Sequence, residues 1–202
     1  MINNEGQVLD SDAKGDPFIT EYKLARDLMK GADWPRGLKE LEGLAHEGSV
    51  MSILFIADAM REGTFYDKDL PNAEDWYRVA VEAGFVRGVF GLGITHLRMG
   101  RFAEAIQDLE AAGARSYAPA YNSLAAIYFH GDGVIVDRQR ALDLWRKAAS
   151  LGNIPAQRNL VHQFIRGRYG FRKRVEGWAK IFPLAFEIMK LEREAPDSDR
   201  LR

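Results

Sequence analysis

The stretch Gly131–Asn153, "GDGVIVDRQRALDLWRKAASLGN", decides how the rest of the chain is read. Gly131 and Gly133 bracket one residue, Val134 follows, and Asp137 comes three places later. Ala141, Trp145, Ala148 and Gly152 then recur at spacings of 4, 3 and 4, the period of one helix face. The same spacing returns at Ala73, Tyr77, Ala80 and Gly84, at Ala105, Leu109, Ala112 and Ser116, and at Gly37, Leu41, Leu44 and Gly48. The stretch is therefore an inter-helix turn followed by the second helix of a unit that repeats. It is not a catalytic loop.

The first half of the unit repeats as well. Ala120, Leu124, Tyr128 and Gly131 have counterparts in Ala156, Leu160, Phe164 and Gly167, and in Gly88, Leu92, His96 and Met99 with Gly100 next. Earlier counterparts are Ser52, Ile56, Met60 and Gly63, then Thr20, Leu24, Leu28 and Gly31. Units thus begin near 20, 52, 88, 120 and 156, with steps of 32, 36, 32 and 36. Each opens on a small or short residue, places apolar residues one and two turns on, and mostly closes with glycine. Asp33, Asp69 and Asp137 precede the second helices, where a side-chain oxygen can cap orphan N–H groups. Pro35 and Pro71 fall just inside the same helix starts, where a missing N–H costs little.

Composition agrees with one soluble repeat domain. The chain has 202 residues, 47% apolar and 28% charged, with a formal net charge of −1. That balance offers no global field for nucleic acid or an anionic membrane. No cysteine is present, which excludes disulfides, thiolate metal sites and a cysteine nucleophile. No apolar run is long enough to span a membrane, and the start lacks the pattern of a secretory signal. A cytoplasmic location is expected. Residues 1–17 read as a disordered polar tail, 18–194 as a single repeat domain and 195–202 as a second disordered tail. A calcium-loop register at Asp10, Asp12, Gly15 and Glu21 is spoiled by Lys14 at a ligand place, so no metal is expected.

The stretch "APAYNSLAAIYFHGDGVIVDRQRALDLWRKAASLGN" resembles the Sel1-like repeat, with its small residues, G-x-G-V turn, aspartate and A-A-x-x-G ending. "AMREGTFYDKDLPNAEDWYRVAVEAG" resembles it too, with Phe65 and Tyr66 in place of Gly-Val. The shorter units look more like tetratricopeptide repeats. The resemblance implies an all-α fold: an α-solenoid of about five antiparallel helix–turn–helix repeats forming a right-handed superhelix. It also implies a bacterial protein-binding scaffold. Repeat units that cannot bury their apolar faces alone must stack, which supports the same architecture.

By this resemblance the ligand surface is a concave groove lined by first helices. The residues it puts there include Leu54, Asp58 and Arg61, then Phe90, Ile94 and Leu97, then Asn122, Ala126 and Phe129, then Arg158, His162 and Ile165. Tyr22, Arg26 and Met29 take the same places in the first unit. The middle of the groove should be apolar and aromatic, flanked by polar residues. A secondary basic patch comprises Arg166, Arg168, Arg172, Lys173 and Arg174. The stretch that follows, "VEGWAKIFPLAFEIMKLERE", is expected to form a helix broken or kinked near 182 that seals the last unit.

Signals for catalysis are weak. His46, His96, His130 and His162 form no helical metal-binding pair, and His96 sits at an aromatic packing place. The glycines of "GVFGLG", residues 88–93, fall at helix-packing positions with no strand before them, so a dinucleotide fingerprint is not indicated. No nucleophile, base and orienting group stand in a recognisable set. The expectation is a non-catalytic scaffold or adaptor for a protein or peptide, with no cofactor and no nucleic acid. Alternatives are an immunity or adaptor protein for a toxin or effector, and, further off, an enzyme with a site in the groove.

Overall fold

The computed structural model describes residues 15–165, together with positions 179 and 183. The basic patch at 166–174, the expected sealing helix and both terminal stretches therefore lie outside the described residues, save for those two positions. Nine α-helices and no strand are found among the described residues. They are α1 (Ile19–Leu28), α2 (Trp34–His46), α3 (Val50–Glu62), α4 (Leu70–Glu82) and α5 (Val86–Arg98). Then come α6 (Phe102–Ala114), α7 (Ala118–His130), α8 (Arg138–Ser150) and α9 (Ile154–Ile165). Among the described residues they follow one another at the places the periodicity requires.

Two compact blocks divide between Ala112 and Gly113. In the N-terminal block, α1 packs on α2, α2 on α3, α3 on α4 and α4 on α5. Its core holds Leu41, Ile53, Leu54, Ile56, Ala57, Ala73, Tyr77 and Ala80, all buried. In the C-terminal block, α8 packs against both α7 and α9. Ala141 and Ala148 are fully buried there, beside buried Leu124, Leu142 and Trp145. Small residues at these places let helix backbones approach, and the large ones fill the remaining space at native density.

The two longer turns close alike. Gly63 (φ 77°) and Gly131 (φ 84°) end α3 and α7 in the left-handed conformation. The Asp69 N–H returns to the Met60 carbonyl at 3.0 Å, and the Asp137 N–H to the Tyr128 carbonyl at 2.9 Å. Each aspartate then caps the next helix: Asp69 Oδ1 accepts from Asn72 N at 3.0 Å, and Asp137 Oδ1 from Arg140 N at 2.9 Å. Asp33 differs. It makes no side-chain cap, and only its carbonyl accepts, from Arg36 N and Gly37 N.

The first repeat departs from expectation in two more ways. Leu24 should be buried but is 68% exposed, while Ala25 is buried. It is Ala25 that meets α2 closely: a Cβ at Gly37 would lie 2.8 Å from the Ala25 carbonyl oxygen. The second concerns Asp16, which falls within the expected tail and is buried. Asp16 is 3% exposed, and its carboxylate accepts from Phe18 N (2.8 Å), Ser49 Oγ (2.9 Å) and Met51 N (2.6 Å). A buried carboxylate needs such donors to offset its desolvation. It ties the chain before α1 to the start of α3.

Candidate functional site

The candidate surface is built from the outward places of the first helices. In the N-terminal block, α5 carries Phe90, Ile94 and Leu97 along one stripe, all half-buried. They recur at spacings of 4 and 3, so they share a face. The glycines of the same helix do a different job. A Cβ at Gly88 would sit 2.9 Å from Ala80 Cβ, and one at Gly93 would sit 2.8 Å from Leu109 Cγ. Gly91 lies against the Tyr77 ring. These glycines seat α5 between its neighbours and turn the apolar stripe outward, as close helix packing requires.

On α3 the expected site residues divide. Leu54 is 1% exposed and belongs to the core, so it is not available to a ligand, correcting the groove assignment. Asp58 and Arg61 do lie together, but they are tied into the structure. Asp58 Oδ1 accepts from Arg61 at 2.7 Å and from the Tyr77 hydroxyl at 2.6 Å. Burial opposes the Arg61 charge, yet the Asp58 and Glu62 carboxylates beside it outweigh burial and hold the guanidinium protonated. Burial, with Asp58 beside it, also pushes the Tyr77 hydroxyl well above its ordinary value, so it remains a donor. Arg98 of α5 adds a clamp, with Nη2 2.7 Å from both Glu62 oxygens and Nη1 3.1 Å from the Arg61 carbonyl. On α1, Tyr22, Arg26 and Met29 are half-buried, and the Arg26 guanidinium lies 4.8 Å from the Phe55 ring centre.

The C-terminal block offers its own surface. Asn122 of α7 and Asn159 of α9 share a hydrogen bond of 3.2 Å. Phe129 is half-buried, and its ring packs 5.2 Å from that of Trp145 on α8, so much of it serves the helix pair. Ala126 and Ile165 are half-buried, while Arg158 and His162 are exposed.

One cluster was missed at the level of sequence. His96 is 4% exposed, as its packing place required, but it is not an apolar filler. Its Nδ1 lies 2.7 Å from Asp108 Oδ2 on α6, and its Nε2 lies 3.2 Å from Glu74 Oε1 on α4, without hydrogen-bond alignment at that nitrogen. Arg78 and Arg101 also pair with Glu74. Partial burial works against the Glu74 carboxylate, but Arg78, His96 and Arg101 prevail and hold it at about 2. Burial raises Asp108, against the pull of His96. The signal was the polar residue itself at an aromatic place. Its partners lie 22 residues before and 12 after, a pairing that only helix stacking creates. Among the described residues no three His, Asp or Glu groups converge to hold a metal ion. Nor is any helix there long and apolar enough to cross a membrane.

Comparison with known proteins bears on this geometry. The Sel1 repeat family model matches residues 51–85 and 118–153, the two repeats with long turns. No curated protein matches the chain. A protective antigen of uropathogenic Escherichia coli with an SLR fold is 25% identical, covering 74% of this chain and 33% of its own, with a TM-score of 0.58. The chain thus spans about a third of that antigen's length. A Sel1 repeat protein from Oxalobacter formigenes is 19% identical over 96% of this chain and 93% of its own, with a TM-score of 0.64. A Klebsiella pneumoniae protein assigned to the Sel1 repeats is 20% identical over 95% of this chain and 100% of its own, with a TM-score of 0.58. Together with the turns and caps that recur residue by residue, these likenesses place two Sel1 repeats in the chain, at 51–85 and 118–153, and show an all-α solenoid fold.

Proposed function

We propose that the chain is a non-catalytic scaffold or adaptor that binds a partner protein or peptide on the outward face of its first helices. The observation that carries this reading is the apolar stripe Phe90, Ile94 and Leu97 on α5, beside the ion-paired residues of α3. An apolar strip rimmed by fixed polar groups is what a protein-binding surface needs: area to desolvate and a rigid edge that sets register. The internally satisfied Asp58–Arg61–Tyr77 set favours a framework role for those side chains over a catalytic one.

The test is to capture the partner from a lysate, identify it by mass spectrometry and measure its affinity for Ile94→Ala and Leu97→Ala. Each truncation should weaken binding by roughly tenfold if these side chains anchor the complex. Unchanged affinity in both folded variants would remove this face as the site. Turnover of a small molecule by the purified chain alone would overturn the non-catalytic reading.

A further inference from the structure

A second candidate site lies away from that face, in a cleft of the N-terminal block formed by α2, α3 and α4. This open cleft offers about 340 Å³ and is lined by Ile56 and Met60 and by His46, Tyr66 and Trp76 as its aromatic walls. Glu42 stands at one side. The His46 and Trp76 rings meet edge to face, their centres 6.0 Å apart. The Tyr66 hydroxyl donates to Glu42 Oε1 at 2.8 Å, and among the described residues Oε2 of the same carboxylate accepts nothing. Tyr66 and Trp76 are half-buried against the core, which fixes their rings in place.

The walls are particular to this repeat. Counting by the repeat register, Val134 and Leu144 take the places of Tyr66 and Trp76 in the other Sel1 repeat. Helix packing is therefore satisfied by aliphatic side chains at both positions. The aromatic pair supplies something more: π faces with negative potential, next to a carboxylate whose second oxygen accepts nothing among the described residues.

We propose that this cleft is a binding site for an arginine side chain of a partner protein, with the guanidinium held between the Trp76 and Tyr66 rings and paired to Glu42. Aromatic faces attract cations, guanidinium most often in proteins. A planar guanidinium also stacks on rings and donates to a carboxylate in a fixed fork, which a compact ammonium cannot match. The volume sits at the small end of ligand pockets, the scale of one long side chain. Lys39, exposed at the rim, opposes a cation, and its flexible stem lets its ammonium move out to solvent. This site does not depend on the α5 stripe; either can fail without the other.

The test titrates the full chain with N-acetyl-arginine amide while following the Trp76 indole N–H by nuclear magnetic resonance, assigned with Trp76→Phe. A saturable shift in the millimolar range is expected, as the contacts of one side chain allow. The uncharged citrulline analogue should bind at least tenfold more weakly, and N-acetyl-lysine amide several-fold more weakly. Glu42→Gln, which can still accept from Tyr66, should lose at least fivefold, and Lys39→Gln should gain about twofold. Circular dichroism confirms that each variant is folded. Equal binding of arginine and citrulline, unchanged affinity in Glu42→Gln, or no shift at all would overturn the proposal. Tighter binding of lysine than of arginine would overturn the guanidinium assignment.

Discussion

Phe65 and Gly133 occupy the same place in two copies of one turn, with φ of 65° and 70°. Glycine adopts that left-handed conformation at little cost, whereas a side chain with a Cβ loses roughly 1–2 kcal/mol there. Phe65 recovers energy through its ring, 5.6 Å from Trp34 and 6.1 Å from Phe55. Such aromatic pairs contribute about 0.5–1.5 kcal/mol each. Phe65→Ala keeps the strain and loses the rings, so it should cost about 1–2 kcal/mol. Phe65→Gly loses the rings but releases the strain, so it should be more stable than the alanine variant by about 1 kcal/mol. Urea unfolding of the two decides the matter. Alanine above glycine, the usual order elsewhere, would disprove the strained turn.

The caps give an internal comparison. Asp137→Ala should cost about 1 kcal/mol through loss of the bond to Arg140 N, and Asp137→Asn much less, since asparagine also caps. Asp33 makes no such bond, so Asp33→Ala should change stability by under about 0.5 kcal/mol. Thermal melts of the three variants check the ordering. Equal losses at 33 and 137 would refute the capping assignment.

Glycines on helices separate by what surrounds them. Gly43 is exposed on α2, with open space around it, so Gly43→Ala should stabilise by up to about 1 kcal/mol through helix propensity. A Cβ at Gly88 collides with Ala80 and the Val81 backbone, so Gly88→Ala should destabilise by roughly 1–3 kcal/mol despite the same propensity gain. A stabilised Gly88→Ala in denaturant unfolding would mean that α4 and α5 are less closely packed than found.

Acid should loosen the cluster around His96 through Glu74. Its carboxyl is lowered from 4.5 to about 2 in the folded chain, because Arg78, His96 and Arg101 outweigh the burial that opposes them. A depressed acid contributes stability that is fully present above the unfolded value, near 4.5, and is lost as pH falls through the folded value, near 2. Full linkage would be on the order of 3 kcal/mol. Solvent at the partly open rim screens these pairs, so about 1–2 kcal/mol is expected. Glu74→Gln should therefore be less stable than the parent at pH 7 and should lose less between pH 4.5 and 2. Parallel losses in the two proteins, followed by urea titration at each pH, would exclude Glu74 as the source.

Periodicity along the chain determined the helices, the long turns closed at Gly63 and Gly131, the caps at Asp69 and Asp137, and the burial of Ala141 and Ala148. These depend on contacts within one helix pair, where spacing in sequence translates directly into a shared face. Tertiary structure alone decided the rest. Ala25 faces Gly37 of the next helix at close range, while Leu24 beside it is exposed. Leu54 went to the core, and Arg61 went to Asp58 and Tyr77. His96 found Glu74 and Asp108, and Tyr66 found Glu42 across 24 residues. Periodicity gives the direction of a side chain about its own helix axis. How closely the neighbouring helix approaches, and which polar atom it brings, depends on the side chains of both helices together.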